Sequence, residues 1–291
     1  MNDANDTRPG ARAALPTVRI SVAMCTFNGE PYLRAQLDSI LGQLSNVDEI
    51  VVADDGSTDR TREILLEYRR RSPQLFRLHF HGTNLGTVGN FQFALEKCRG
   101  DYIFLCDQDD VWDTRKVAVI MKRLQARHCL LVFTDGRLIG PTGTLLESSL
   151  WERWKFTPVR RLLWRWIPGA ALLDLLNNNN KVTGATVAMR STLLQHSLPI
   201  RLPKGYWHDA WFAMHAAARS GLAFDSSRLV DYRIHPQQQV GVTRNTASSN
   251  KSEVSYQAFM DGFQAQYPSR AKLTERLRAV LEFRARLGFR R

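Results

Sequence analysis

The chain has 291 residues, 44% hydrophobic and 23% charged, which supplies enough apolar content for a sizeable core and excludes wholesale disorder. Its formal net charge of +12 and isoelectric point near 10.0 favour anionic partners: nucleic acid, anionic lipid or a phosphorylated substrate. The excess is local, because Trp151–Trp166 carries +4 and Ser269–Arg291 carries +6 while the rest is nearly neutral.

In chain order, the first half alternates strand and helix signals. Val18–Met24 is a β-branched strand, and Pro31–Leu44 places Leu33, Leu37, Ile40, Leu41 and Leu44 on one helical face. Glu49–Ala53 reads as a strand, Thr58–Arg71 as a helix, Arg77–His81 as a strand and Thr87–Cys98 as a helix. Tyr102–Cys106, Thr114–Arg127 and Leu130–Thr134 continue as strand, helix and strand. Such alternation implies βαβ units, hence an α/β fold with a mostly parallel central sheet flanked by helices. The second half differs. Arg137–Leu146 reads as a hairpin about Pro141-Thr142-Gly143, and Asn177–Asn180 as a loop. Val182–Met189 and Arg228–Arg233 read as strands and His208–Ser220 as a helix. A polar segment, Gln237–Ser252, sets off a basic C-terminal helical extension at 253–291.

Met1–Pro16 is polar and small-residue-rich without an apolar h-region, so it is expected to be a disordered tail and not a signal peptide. No run approaches the roughly 18 apolar residues of a membrane span. Cys25, Cys98, Cys106 and Cys129 show neither CxxC pairing nor metal-ligand spacing, and are expected to be buried reduced thiols of a cytoplasmic protein.

In an open parallel sheet, ligands bind beyond the carboxyl ends of the strands. There the sequence puts Cys25-Thr26-Phe27-Asn28-Gly29 after the first strand, Asp54-Asp55-Gly56-Ser57-Thr58-Asp59 after the second and Asp107-Gln108-Asp109-Asp110 after the fourth. Crowded carboxylates stay ionised only with compensation. A divalent cation, Mg2+ or Mn2+, shared with a substrate diphosphate is the natural one, and the Asp-x-Asp spacing lets Asp107 and Asp109 reach one ion.

With Asn84-Leu85-Gly86, Asp107-Gln108-Asp109-Asp110-Val111-Trp112 and Tyr232-Arg233-Ile234-His235 in order, residues 17–240 resemble a family-2 glycosyltransferase of the GT-A, Rossmann-like fold, in its rhamnosyltransferase-like branch. The resemblance implies a nucleotide-sugar binding half at 17–135 and an acceptor half at 136–240. It implies that Thr26, Asn28 and Asp55 line the base and ribose with Asp54 in support, and that Asn84 and Gly86 shape the sugar–phosphate pocket. It further implies that Asp107 and Gln108 contact the donor, that Asp107, Asp109 and His235 serve the metal, and that Asp209 is the base. Relatives often have Glu-Asp where this chain has His208-Asp209. The implied reaction is metal-dependent, inverting transfer of a sugar, with L-rhamnose from dTDP-rhamnose as the branch's example, to a growing surface polysaccharide or lipid-linked glycan.

Plainer readings stand beside these. Asp54, Asp59, Asp110 and Asp209 suit helix N-caps, His235 suits a loop, and Gly184 suits either close backbone approach or a strand irregularity. The aromatic, basic Trp151–Trp166 stretch suits an anionic membrane surface on the cytoplasmic face of the inner membrane, or a packed helix with a solvated face. A sugar nucleotidyltransferase would need a Gly-rich basic loop after the first strand, where this chain has one glycine and no base. A nucleic-acid-binding module would need one continuous basic stripe, and the acidic cleft opposes it, so no nucleic-acid partner is expected.

Overall fold

The computed structural model describes residues 19–126, 128–203, 205–236, 238, 253–270 and 272. The expected N-terminal tail, nearly all of the 237–252 segment and most of the basic C-terminal region lie outside the described residues. The elements run β1 (Ile20–Thr26), α1 (Leu33–Leu41), β2 (Glu49–Asp54), α2 (Thr61–Arg71), β3 (Phe76–Phe80), α3 (Gly86–Lys97), β4 (Tyr102–Cys106), β5 (Val111–Trp112) and α4 (Lys116–Leu124). They continue with β6 (Leu131–Ile139), β7 (Leu145–Glu147), α5 (Leu150–Arg153), α6 (Pro158–Trp166), α7 (Ala170–Leu176), β8 (Val187–Arg190), α8 (Leu194–Ser197), β9 (Leu202–Pro203), α9 (His208–Ala218), β10 (Leu222–Arg233), β11 (Glu253–Val254) and α10 (Tyr256–Gln266).

The main sheet has the order β3-β2-β1-β4-β8-β6-β10-β5, with β7 on β6. Its first four strands are parallel, β8 runs antiparallel to both neighbours, and β10 returns parallel to β6. All seven residues of β1 are buried, as a strand covered on both faces requires. Alternation sorts the side chains. Ala23, Cys25, Ala53, Ile103 and Leu105 pack with Phe91 and Leu95 of α3 and Phe212 of α9. Val22, Met24, Ile50, Val52 and Phe104 pack with Leu37 of α1, Leu65 of α2 and Ile120 of α4. The result is a three-layer α/β/α sandwich.

The expected hairpin at 137–146 is present, β6 pairing antiparallel with β7. The expected Val182–Met189 strand is shorter, because the chain turns at Gly184–Thr186, where Thr186 N and Oγ1 both donate to Thr183 O. Val111–Trp112, between the expected Tyr102–Cys106 strand and Thr114–Arg127 helix, forms a short strand that pairs with β10. Phe259, Phe263 and Tyr267 seat α10 on α9, with Tyr267 Oη 2.8 Å from His215 Nδ1.

Candidate active site

The carboxyl ends of β1, β2 and β4 open into a cavity of about 380 Å³. Its wall includes Thr26, Asn28, Asp55, Asp107, Gln108, Asp109, Asp209 and His235. Asp54, Asn84 and Gly86 stand behind that wall.

Asp54 is fully buried and saturated. Its Oδ2 accepts from Thr26 Oγ1 and Ser57 Oγ, and its Oδ1 from Ser57 N and Arg62 Nε. Asp55 Oδ1 accepts from Leu85 N at 2.6 Å and its Oδ2 from Gly86 N at 3.0 Å, which ties the start of α3 to the end of β2. Asn84 adds a bond to Asp55 O. Asn84 and Gly86 therefore position Asp55, and Asp55 keeps spare acceptor capacity toward the cavity. Asn28 adopts φ +51°, a conformation Asn tolerates better than most residues, and its Oδ1 accepts from Thr58 N. Gln108 clasps the backbone of Phe27 in both directions, at 2.8 and 2.9 Å. A side chain at Gly29 would collide with that clasp, since a Cβ there would lie 2.2 Å from Gln108 Oε1.

The acidic turn after β4 divides its labour. Burial pushes the Asp107 carboxyl up to about 7, with Asp109 and Asp209 raising it further and Lys116 opposing. Asp109 Oδ2 lies 2.9 Å from His235 Nε2. Asp110 does not cap the following segment. It is fully buried, its Oδ1 accepts from Arg233 N, and burial beside Asp109 and Asp107 holds it well above the usual carboxylate range. Arg233 fixes the turn by donating to Asp109 O, Gly140 O and Pro141 O while its guanidinium lies over the Tyr32 ring. Beneath, the buried Lys116 donates to Ala185 O and lies 3.5 Å from the Trp112 ring centre, and burial lowers it to about 7. Lys116 carried no motif signal, and Arg233 stood in the Tyr232–His235 motif without an assigned role; their contacts reveal what both do.

Asp209 sits in the first turn of α9 on the same cavity. Asn180 Nδ2 and Ala210 N donate to Oδ1 and Gly184 N to Oδ2. Burial raises its pKa to about 6, and these three donors oppose the rise. The Asn tract and Gly184 thus orient Asp209. His208 is buried, stacked on Phe91 at 4.1 Å, and held neutral by burial, its pKa lowered to about 3. Neither ring nitrogen has a hydrogen-bond partner among the described residues. Asp59 serves locally, accepting from Thr61 N and Glu30 N.

Among the described residues, no three His, Cys, Asp or Glu side chains converge tightly enough to hold a metal unaided. The donor set nevertheless fits a hard cation shared with a diphosphate. Asp107 and Asp109 offer oxygens into the cavity, and Asp107 is destabilised as an anion by like charges that a cation would neutralise. His235, hydrogen-bonded to Asp109 and tilted against the Tyr32 ring at 4.6 Å, orients that carboxylate.

Known proteins share this arrangement in part. An uncharacterized protein of Mycobacterium tuberculosis is 40% identical over 111 residues, 38% of this chain and 32% of that one. TuaG, a Bacillus subtilis protein named for a glycosyltransferase role in teichuronic acid biosynthesis, is 30% identical over 131 residues, 45% of this chain and 52% of that one. The chain thus spans a third to a half of the length of these relatives. Among solved structures, Staphylococcus aureus TarS in complex with UDP-GlcNAc superposes with a TM-score of 0.57 at 19% identity, covering 77% of this chain and 62% of that one. The Pyrobaculum calidifontis mannosyltransferase PcManGT, in complex with GDP-Man and Mn2+, does so with a TM-score of 0.52 at 20% identity, covering 76% and 59%. Both share the fold. The model of glycosyl transferase family 2 matches residues 21–189, which takes in the motifs that follow β1, β2 and β4, and the chain belongs to that family.

Proposed function

We propose that this glycosyltransferase moves a sugar, with inversion, from a nucleoside-diphosphate donor in the strand-end cavity to an acceptor hydroxyl deprotonated by Asp209. The carrying observation is that one cavity is lined both by the acidic turn Asp107–Asp109 and by Asp209 from a different element. Asp209, at about 6, is a stronger base than an ordinary aspartate yet is mostly ionised at neutral pH. Its three donors aim it, and it takes the hydroxyl proton as the new C–O bond forms at the anomeric carbon and the bond to the diphosphate breaks on the opposite face. Thr26, Asn28 and Asp55 face the nucleoside, with Gln108 and Asp54 holding the loops that carry them. Asp107 and Asp109, the latter steadied by His235, would hold Mg2+ or Mn2+, which when bound neutralises charge developing on the leaving diphosphate.

The likeness to the rhamnosyltransferase-like branch favours L-rhamnose from a dTDP donor. The named role of TuaG supports a surface polysaccharide or lipid-linked glycan as acceptor, used at the cytoplasmic face of a membrane. No helix among the described residues is long and apolar enough to cross one. A thermal-shift panel of nucleoside diphosphates and nucleotide sugars, with and without Mn2+, tests the reading. The expected result is a shift for one base that needs the cation and disappears in Asp109→Ala. No shift with any nucleotide, together with full turnover in Asp109→Ala, would overturn it.

A further inference from the structure

Helix α6 presents its apolar side to solvent. Val159, Leu162, Leu163 and Trp166 recur at helical spacing, with Ile167 just beyond, and their exposures are 67%, 57%, 46%, 72% and 42%. None of the nine helical residues is buried. A surface helix of a globular protein ordinarily does the reverse. Fraying does not explain it, because the helix is anchored. Thr157 caps its first turn by accepting from Arg160 N, and Pro158 opens it. Its inner side is Trp164, which packs on Phe133 and Phe156 and donates to Asp174 Oδ2 at 2.7 Å. Trp151 and Phe156, from the same aromatic stretch, are core residues. The outward apolar face is therefore set by the fold.

The charge on this helix has one sign. Arg160, Arg161 and Arg165 stand on it with no acid. Arg160 lies 3.6 Å from Asp174, Arg161 stacks over Trp151, and Arg165 is exposed with no ion pair among the described residues. An apolar stripe ending in Trp, flanked by arginines whose stems can lie along it, matches the headgroup boundary of an anionic bilayer in both chemistry and charge.

We infer that α6 is an interfacial helix that seats this chain on an anionic lipid bilayer. The inference deepens the proposed function and rests on it only for the acceptor: α6 packs on α7, and α7 on α9, which carries Asp209. A glycan held at the membrane would then lie two helices from the base.

The test is flotation of the full chain with vesicles of phosphatidylcholine alone or mixed with phosphatidylglycerol, at low and high salt. Wild type should float with the mixed vesicles and less so at high salt. Leu162→Ser/Trp166→Ser should lose roughly a hundredfold in partitioning, and Arg165→Glu about tenfold. Both variants should keep the wild-type melting temperature and the wild-type donor turnover with a soluble acceptor. Lipid-borne bromine should quench tryptophan emission in wild type and far less in Trp166→Phe. Wild type that stays down at low salt, a double variant that floats like wild type, or a concentration-dependent dimer lost in the double variant would each overturn the inference. Failure of turnover on every donor would sink the proposed function and leave the flotation result standing.

Discussion

Replacing Asp209 by Asn separates a base from a structural cap. With the carboxyl at about 6, only about a tenth is ionised at pH 5. The turnover number at saturating donor and Mn2+ should therefore fall about tenfold between pH 7 and pH 5, with an acid limb centred near 6. Asp107, where a cation would neutralise the like charges beside it, should not shape that limb. Asp209→Asn should lower turnover by about 10²–10⁴ and erase the limb. Stability should barely change. The rise from 3.8 to about 6 corresponds to an upper bound of about 3 kcal/mol for keeping the anion buried, or about 1–2 kcal/mol once screening through the open cavity is allowed for. Asn relieves that cost but turns an amide donor toward Gly184 N, which costs about 1 kcal/mol. The net change at neutral pH is therefore within about 1 kcal/mol of zero. Urea unfolding and steady-state kinetics on the same preparations decide the matter. A limb centred near 4, a limb that persists in the Asn variant, or turnover within tenfold of wild type would refute the assignment.

Three further outcomes are expected. Asp107 and Asp209 both have folded-state pKa values above their ordinary ones, about 7 and about 6, so the stabilisation they give is complete below the unfolded pKa and lost as pH rises through 6–7. Burial lowers His208 and His215 to about 3, so they act in the opposite direction, and the carboxyl contribution is read by difference. Between pH 5 and pH 8 the cation-free protein should lose more melting temperature than Asp107→Asn/Asp209→Asn does, and Mn2+ with a nucleoside diphosphate should narrow that difference; equal pH slopes for the two proteins would contradict it. Gly29→Ala should drive Gln108 from the Phe27 backbone, destabilise by about 1–3 kcal/mol and weaken donor binding, seen by denaturation and calorimetry. Asp54→Ala should cost roughly 3–5 kcal/mol in urea unfolding, because it strands Thr26, Ser57 and Arg62 around an emptied buried site.

Much of this protein is written locally. Runs such as Tyr102–Cys106 specify buried strands by composition, and strand-helix alternation then dictates a sheet whose strand ends share one edge, so Asp55, Asp107 and Asp109 had to approach one another. Asp209 was marked by the family resemblance, since local pattern alone makes it equally a helix N-cap. What one chain segment cannot encode is who stands opposite whom. The family resemblance assigned Asn84 and Gly86 to the sugar–phosphate pocket, and tertiary contacts make them the side-chain and amide partners that hold Asp55. Lys116 shows no motif, and Arg233 shows no role within its motif, because both roles exist only where β10, the 140–141 turn and the floor of the cavity converge on the acidic turn. The Trp151–Trp166 stretch makes the point most plainly. Helical spacing groups Val159, Leu162, Leu163 and Trp166 on one face, but periodicity is blind to which face meets the core. Packing of Trp164 against Phe133 and Phe156 chose the other one, and left the apolar stripe to the solvent.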